Sequence, residues 1–177
     1  MTLSQKTLLI VNIIGGILVL GSYVFGLVSN PGRGMELWGN LPEAIRPVYT
    51  ASMFAAAAGY FFFLYHLVFR ANANTFKLPF GLPFYTVHIV FMMILVPSAI
   101  WMSLTFAYID APSVWMWALV RVTLFTVGVG SALLVAILMS LKATSPGQFW
   151  WPSVAGATVF TFHTLVLDAT VWPIYFH

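Results

Sequence analysis

Apolar residues fill five long stretches of the chain, and short polar segments separate them. The stretches cover residues 8–28, 48–69, 84–107, 114–141 and 151–172. Each holds the run of about 20 apolar residues with which a helix crosses the hydrocarbon core of a bilayer. Because the stretches are continuously apolar rather than alternating, they are not strands of a membrane barrel. The pattern predicts an all-α integral membrane protein, a five-transmembrane-helix bundle that forms a single membrane domain over residues 1–177.

Charged residues in the predicted loops indicate how this bundle is oriented. The N-terminus and the second and fourth loops carry cations without an acid: Lys6, Arg70, Lys77 and Lys142. The first and third loops mix two cations with three carboxylates. Because Lys and Arg collect in cytoplasmic loops, we predict a cytoplasmic N-terminus and an external C-terminus. We expect the protein to lie in a plasma or inner membrane.

The composition agrees with this prediction and excludes other classes of protein. Apolar residues make up 61% of the 177 positions and charged residues only 6%, which is far too little polar surface for a water-soluble domain. Seven cations against four anions form no basic patch for a nucleic acid. Cysteine is absent, which removes disulfides and thiolate chemistry. With no nucleophile or phosphate-binding motif in the sequence, we do not favour an enzyme.

Small residues recur along three of the predicted helices. Lipid offers no hydrophobic drive for helices to associate, so membrane helices hold together by close packing at such residues. We therefore expect these small residues at helix contacts: Gly15, Ser22 and Gly26 in the first helix, Ser52, Ala55, Ala56 and Gly59 in the second, and Gly128, Ala132, Ala136 and Ser140 in the fourth.

Two charged residues lie inside predicted helices, where an unpaired charge is costly. Arg121 comes nine residues after Pro112, and Asp168 comes five residues before Pro173. At the helical rise, these spacings put the two residues about 13 Å and about 8 Å from the same end of the bundle. We predict an Arg121–Asp168 ion pair. It is either a structural pair that fixes helix register or part of a polar site reached from outside.

The second of these alternatives defines a candidate ligand site. In it, Arg121 anchors an anionic or carbonyl group of the ligand, and three aromatic side chains form apolar walls: Tyr49, Trp101 and Trp117. Thr164 precedes Asp168 by about one helical turn and extends a polar stripe along the same helix.

Three histidines are candidates for a haem or metal site, although the cofactor, if any, is unknown from the sequence. His66 and His88 both lie within about 8 Å of the predicted cytoplasmic end, on helices that one loop joins. Two imidazoles at one depth are able to hold a haem iron or half of a metal site. His163 lies near mid-membrane, about 140° around an ideal helix from Asp168. We expect it to hydrogen-bond to another helix, with a role as a proton or pigment ligand as the alternative.

The long first loop, residues 29–46, contains apolar side chains, and we expect it to cap the external face or to be an ordinary connector. It contains the segment Trp38-Gly39-Asn40-Leu41-Pro42 followed by Arg46-Pro47. With five spans, fewer than 200 residues and many tryptophans, the chain resembles the TspO/translocator family. The denser Trp and Pro clustering of that family's loop is missing here. The resemblance implies binding of a tetrapyrrole or sterol by analogy alone.

These observations favour a non-catalytic membrane protein that binds or transports a small apolar or anionic ligand in an intramembrane cavity near the Arg–Asp pair. One alternative is an accessory subunit of a larger respiratory or photosynthetic membrane complex. Another is a haem- or pigment-binding redox protein, and a proton-coupled transporter using Asp168 is the least favoured. The expected partners are the lipid bilayer, the ligand, and a homo-oligomer or larger complex, with no nucleic acid.

Overall fold

Five long helices make up the bundle in a computed structural model of the chain, which describes residues 1–71, 78, 81–141 and 148–176. We name them spans 1 to 5: Leu3–Ser29, Arg46–Arg70, Tyr85–Asp110, Val114–Ser140 and Trp150–Tyr175. Helix accounts for 85% of the structure, and the described ranges contain no strand. All five spans are long and apolar enough to cross a membrane, so the predicted helices are confirmed. Their orientation in the membrane stays a prediction, and Lys77 and Lys142 lie outside the described residues.

Two of the spans change from α-helix to π-helix along their length. Span 2 is α-helical over Arg46–Tyr65 and π-helical over His66–Arg70. Span 5 is α-helical over Trp150–Thr161, π-helical over Phe162–Val171, and closes with an α-helical turn at Trp172–Tyr175. A π-helix bonds each N–H to the carbonyl five residues back, and such segments are frequent at functional sites.

Three of the helices begin at residues that suit a helix N-terminus, either because they cap it or because they need no helical N–H bond. At span 1, Thr2 and Gln5 form a capping box, in which the Thr2 hydroxyl accepts from the Gln5 N–H and the Gln5 side chain accepts from the Thr2 N–H. Pro47 lies in the first turn of span 2, where no helical N–H bond is lost. The Ser113 hydroxyl caps span 4 by accepting from the Met116 N–H at 3.2 Å. Spans 2 and 4 therefore begin within two residues of the predicted starts, whereas the cap at Thr2 lets span 1 begin at Leu3, five residues before the predicted start at residue 8.

Neighbouring helices follow the order 1–3–4–5–2 around the bundle. Span 1 packs along span 3 and against the π-helical turn of span 2. In the same half of the molecule, the Tyr60 hydroxyl donates to the Asn12 side chain and joins spans 1 and 2. We call the end that carries the N-terminus and His66–Arg70 the N-terminal end, and the opposite one the C-terminal end. The N-terminal half has an aliphatic and phenylalanine core, whereas the C-terminal half has a core rich in Trp and Tyr.

Spans 2 and 5 run antiparallel along one close seam. At its centre Gly59 faces Gly156 so closely that a Cβ on Gly59 would lie 2.5 Å from the Gly156 carbonyl oxygen, and one on Gly156 would lie 2.7 Å from that of Gly59. Three residues from this contact toward the N-terminal end, the Ser153 hydroxyl donates to the Phe62 carbonyl at 3.0 Å. The seam therefore has one register, and its glycines are required by backbone contact.

The first loop covers the C-terminal end of the bundle. It contains a short 3₁₀ helix, Gly34–Trp38, and its Asn40 N–H donates to the Tyr175 carbonyl at 2.7 Å. Gly39 has a φ of 53°, and a Cβ there would meet the Tyr175 carbonyl oxygen at 2.8 Å, so glycine is needed for both reasons. The expected cap is thus formed on this end of the bundle.

Arg33 ties this cap to the end of span 3. Its guanidinium contacts the Asp110 carboxylate at 2.8 Å and the Glu36 carboxylate at 2.9 Å, and it lies 5.5 Å above the Phe106 ring. The Arg33 guanidinium holds the pKa of the Glu36 carboxyl below its ordinary value. Because the charged carboxylate is the favoured form, its contribution to stability is present above the ordinary pKa and is lost as the pH falls through the lowered one.

We predict that Gly59→Ala and Gly156→Ala each destabilise the protein by about 1–3 kcal/mol, because the added methyl group pushes two helix backbones apart. Thermal unfolding in detergent, followed by circular dichroism, measures this loss. Gly16→Ala is the matched control, since a Cβ at Gly16 meets nothing within 4 Å. Equal unfolding temperatures for the seam variants and the control would contradict the backbone contact.

We further predict that Glu36→Gln lowers the unfolding temperature at neutral pH, and that the gap to the wild type closes as the pH falls below about 4. The same titration of Glu43→Gln is the control, because Glu43 is 91% exposed and lies 3.9 Å from Arg46. A gap that stays constant across the acid range would show that the Arg33 contact does not stabilise the cap.

Candidate functional site

A polar chain of three side chains joins spans 5 and 2 inside the C-terminal half of the bundle. Asp168 Oδ2 lies 3.4 Å from His163 Nε2, and His163 Nδ1 lies 3.2 Å from Ser52 Oγ. The His163 side chain is 11% exposed, and that of Asp168 is 33% exposed. The predicted hydrogen bond from His163 to another helix is therefore confirmed.

The seam between spans 2 and 5 explains why Ser52 meets His163. Both residues lie seven positions from the Gly59–Gly156 contact, in the direction of the C-terminal end. Seven residues are close to two helical turns, so each of them returns to the seam face about 10.5 Å from the glycines. The glycine contact thus sets the register that places the hydroxyl opposite the imidazole.

The π-helical segment explains why His163 meets Asp168. In an ideal α-helix these two residues project about 140° apart, and the sequence analysis treated them as separate. Over Phe162–Val171 the hydrogen bonds instead span five residues, so residues 163 and 168 come onto one face. The Tyr49 hydroxyl of span 2 donates to the Leu167 carbonyl at 2.9 Å within this segment.

The structure does not form the predicted Arg121–Asp168 ion pair. Asp168 lies beside His163 instead, with Oδ2 3.4 Å from Nε2. The Arg121 guanidinium lies 5.9 Å above the Trp117 ring and 5.5 Å above the Phe125 ring, both on its own helix. The physical reason is that the π-helix brings Asp168 onto the face of span 5 that carries His163, while cation–π contacts, worth about 0.5–2 kcal/mol each, hold Arg121 along span 4.

Aromatic side chains from four spans and the first loop pack together above the polar chain. We call this set the aromatic cluster; its members are Trp38, Tyr49, Trp101, Tyr108, Trp117, Trp172 and Phe176. Trp172 stacks on Phe176 with ring centres 4.1 Å apart, and Trp117 stacks on Phe176 at 5.8 Å. Tyr49, Trp101 and Trp117, the three predicted wall residues, therefore do lie in one cluster.

Three residues of this region, Ser52, Trp172 and Phe176, were not predicted from the sequence as site residues. The signal for Ser52 was its spacing of seven residues from Gly59. Nothing local marks Phe176, because its role depends on the cap that holds the chain end in place.

Thr164 belongs to a different contact from the one predicted. Its hydroxyl lies 2.9 Å from that of Ser131 on span 4, in a buried position, and it also donates to the Phe160 carbonyl at 2.9 Å. It therefore joins spans 4 and 5 and does not extend the polar chain of Asp168.

Two buried nitrogen groups in this half of the bundle lack a hydrogen-bond partner among the described residues: Trp101 Nε1 and Arg121 Nε. By contrast, Trp172 Nε1 donates to the Leu37 carbonyl of the cap at 2.9 Å. Trp101 is edge-on to Tyr23 of span 1, with ring centres 6.4 Å apart. An unpartnered indole N–H is a donor available to a bound molecule.

The other two candidate histidines lie in the N-terminal half and have different surroundings. His88 Nε2 is 3.0 Å from the Ser4 carbonyl oxygen of span 1. His66 is completely buried, and neither of its ring nitrogens has a partner in the described ranges. Over those same ranges, no three His, Asp or Glu side chains form a group suited to a metal ion. The haem hypothesis stays a prediction.

Comparison with models of known protein families, with curated proteins and with solved structures finds no match to this chain. The resemblance to the TspO/translocator family therefore stays an expectation.

We predict unequal losses of stability for two conservative tryptophan substitutions in the aromatic cluster. Trp172→Phe removes the donor to the Leu37 carbonyl, whereas Trp101→Phe removes an N–H that has no partner. Both lose a similar ring volume, so Trp172→Phe should be less stable than Trp101→Phe by about 1 kcal/mol or more. Denaturant titration followed by circular dichroism compares the two free energies of unfolding. Trp101→Phe as the less stable variant would contradict this assignment of hydrogen bonds.

Proposed function

We propose that this protein binds a small ligand inside the C-terminal half of its bundle, with Asp168 and His163 as the polar anchor and the aromatic cluster as the wall. The observation that carries the proposal is the Asp168–His163 pair within a membrane-spanning segment, with the Asp168 side chain still 33% exposed. Ionisable residues within such segments are costly to keep and mark ligand or ion sites by default.

The partial exposure of Asp168 separates this pair from a purely structural one. A pair that only fixes helix register gains most when both groups are fully enclosed by partners. Here His163 faces Asp168 on one side and Ser52 on the other, so both of its ring nitrogens are occupied. The carboxylate has two oxygens and several lone pairs, and its exposed part is the group that a ligand would meet.

The donors and acceptors around this pair favour one class of ligand. The carboxylate accepts hydrogen bonds, and the buried Trp101 N–H offers one, while tryptophan and tyrosine rings supply flat apolar surface. We therefore propose a molecule with an amine or hydroxyl donor on a planar apolar body. The proposed polar anchor of the ligand is therefore Asp168, whereas the sequence predicted Arg121.

The alternatives stay predictions with less support from the geometry. The hypothesis of an accessory subunit is consistent with the exposed apolar residues of span 1, among them Ile10, Ile13 and Ile17. Lipid, however, covers such a face equally well. A pigment or haem would have to displace the contacts that His163 and His88 already make.

We predict that Asp168→Asn, which keeps the shape of the side chain, lowers the amount of co-purifying ligand at least about tenfold, since a buried hydrogen-bonding group that loses its partner costs about 1–3 kcal/mol. The protein is purified in mild detergent, and small molecules released on denaturation are quantified by mass spectrometry. His163→Gln should have a similar effect, because it removes the partner of Asp168.

Asp110→Asn is the matched control, since its carboxylate is 58% exposed and binds Arg33 at the end of span 3. Circular dichroism verifies that each variant is folded. A ligand that co-purifies with Asp168→Asn at the wild-type level would place the site elsewhere.

A further inference from the structure

A groove lined by aromatic side chains lies on the outer surface of the bundle between spans 2 and 5. It has a volume of about 240 Å³ and is lined by Phe61, Phe62, Tyr65 and Phe149. The first three of these are 70%, 48% and 40% exposed. The groove lies near the N-terminal end, about 15 Å or more along the helices from the Asp168 site, so it is independent of the proposed function.

A guanidinium lies at the end of this groove. The Arg70 guanidinium carbon is 5.3 Å from the centre of the Phe149 ring, and Tyr65 packs on Phe149 with ring centres 5.1 Å apart. From Phe61 to Arg70 the distance along the helix is about 13 Å, which is close to the ~15 Å depth of one leaflet's hydrocarbon. The surface thus has a cation at the height of the headgroups and an apolar groove at the height of the acyl chains.

We propose that this groove binds an anionic phospholipid, with one acyl chain against the aromatic residues and the phosphate at Arg70. Charge complementarity identifies the occupant, because guanidinium groups bind phosphates in a bidentate manner. With five N–H donors, an arginine is able to bind a phosphate alongside its contacts within the protein, which for Arg70 include the Phe149 ring. A zwitterionic phospholipid fills the same groove but brings no net charge to Arg70.

The anionic headgroup and the acyl chain are tested by separate variants. Purified protein is titrated with phosphatidylglycerol or with phosphatidylcholine of the same chain length, and native mass spectrometry counts the bound lipids. We expect the wild type to retain phosphatidylglycerol more strongly, and Arg70→Gln to lower that affinity about fivefold without changing the affinity for phosphatidylcholine. Phe61→Ala should weaken both lipids, because it removes part of the surface that contacts the chain.

Lys6→Gln is the matched control, because it removes one exposed cation from the same end of the bundle outside the groove. It should bind both lipids like the wild type. Equal retention of the two lipids by the wild type would overturn the proposal, as would equal losses from Lys6→Gln and Arg70→Gln, which would indicate a general surface-charge effect. A dimer mass that disappears in Phe61→Ala would overturn it in favour of a second protein chain in the groove.

Discussion

The contact between Asp168 and His163 is the interaction on which the proposed site in the C-terminal half depends. It exists because span 5 leaves α-helical geometry over Phe162–Val171, which brings residues five apart onto one face. A carboxyl group inside a helix bundle needs a hydrogen-bond partner. The His163 imidazole on the same helix supplies it, and Arg121 does not. The same turn presents the Leu167 carbonyl to Tyr49, so the irregular segment is bonded to span 2 as well as within itself.

The polar chain depends in turn on the close approach of spans 2 and 5. Membrane helices gain little from apolar burial against each other, and the Gly59–Gly156 contact provides backbone packing instead. Because the register is set there, Ser52 reaches His163 two turns away. One pair of small residues therefore determines both how closely the helices pack and which polar groups meet.

The two halves of the bundle have cores of different composition. The N-terminal half is packed with aliphatic and phenylalanine side chains, and the C-terminal half with indole and phenol rings beneath a loop. The loop is held by Arg33 on span 3 and by Trp172 and Tyr175 on span 5. Rigid rings under a bonded cap make a wall around the polar chain, whereas the aromatic groove at the opposite end faces outward.

The sequence by itself determined the five helices and most of their boundaries. These follow from local properties: the length of an apolar run, a proline or serine at a helix start, and a constant rise per residue. It also placed Tyr49, Trp101 and Trp117 in one region. Only the tertiary structure decided the partner of Asp168. That choice depends on a π-helix with no local sequence signal and on a glycine contact between distant parts of the chain, since the direction of a side chain is set by packing.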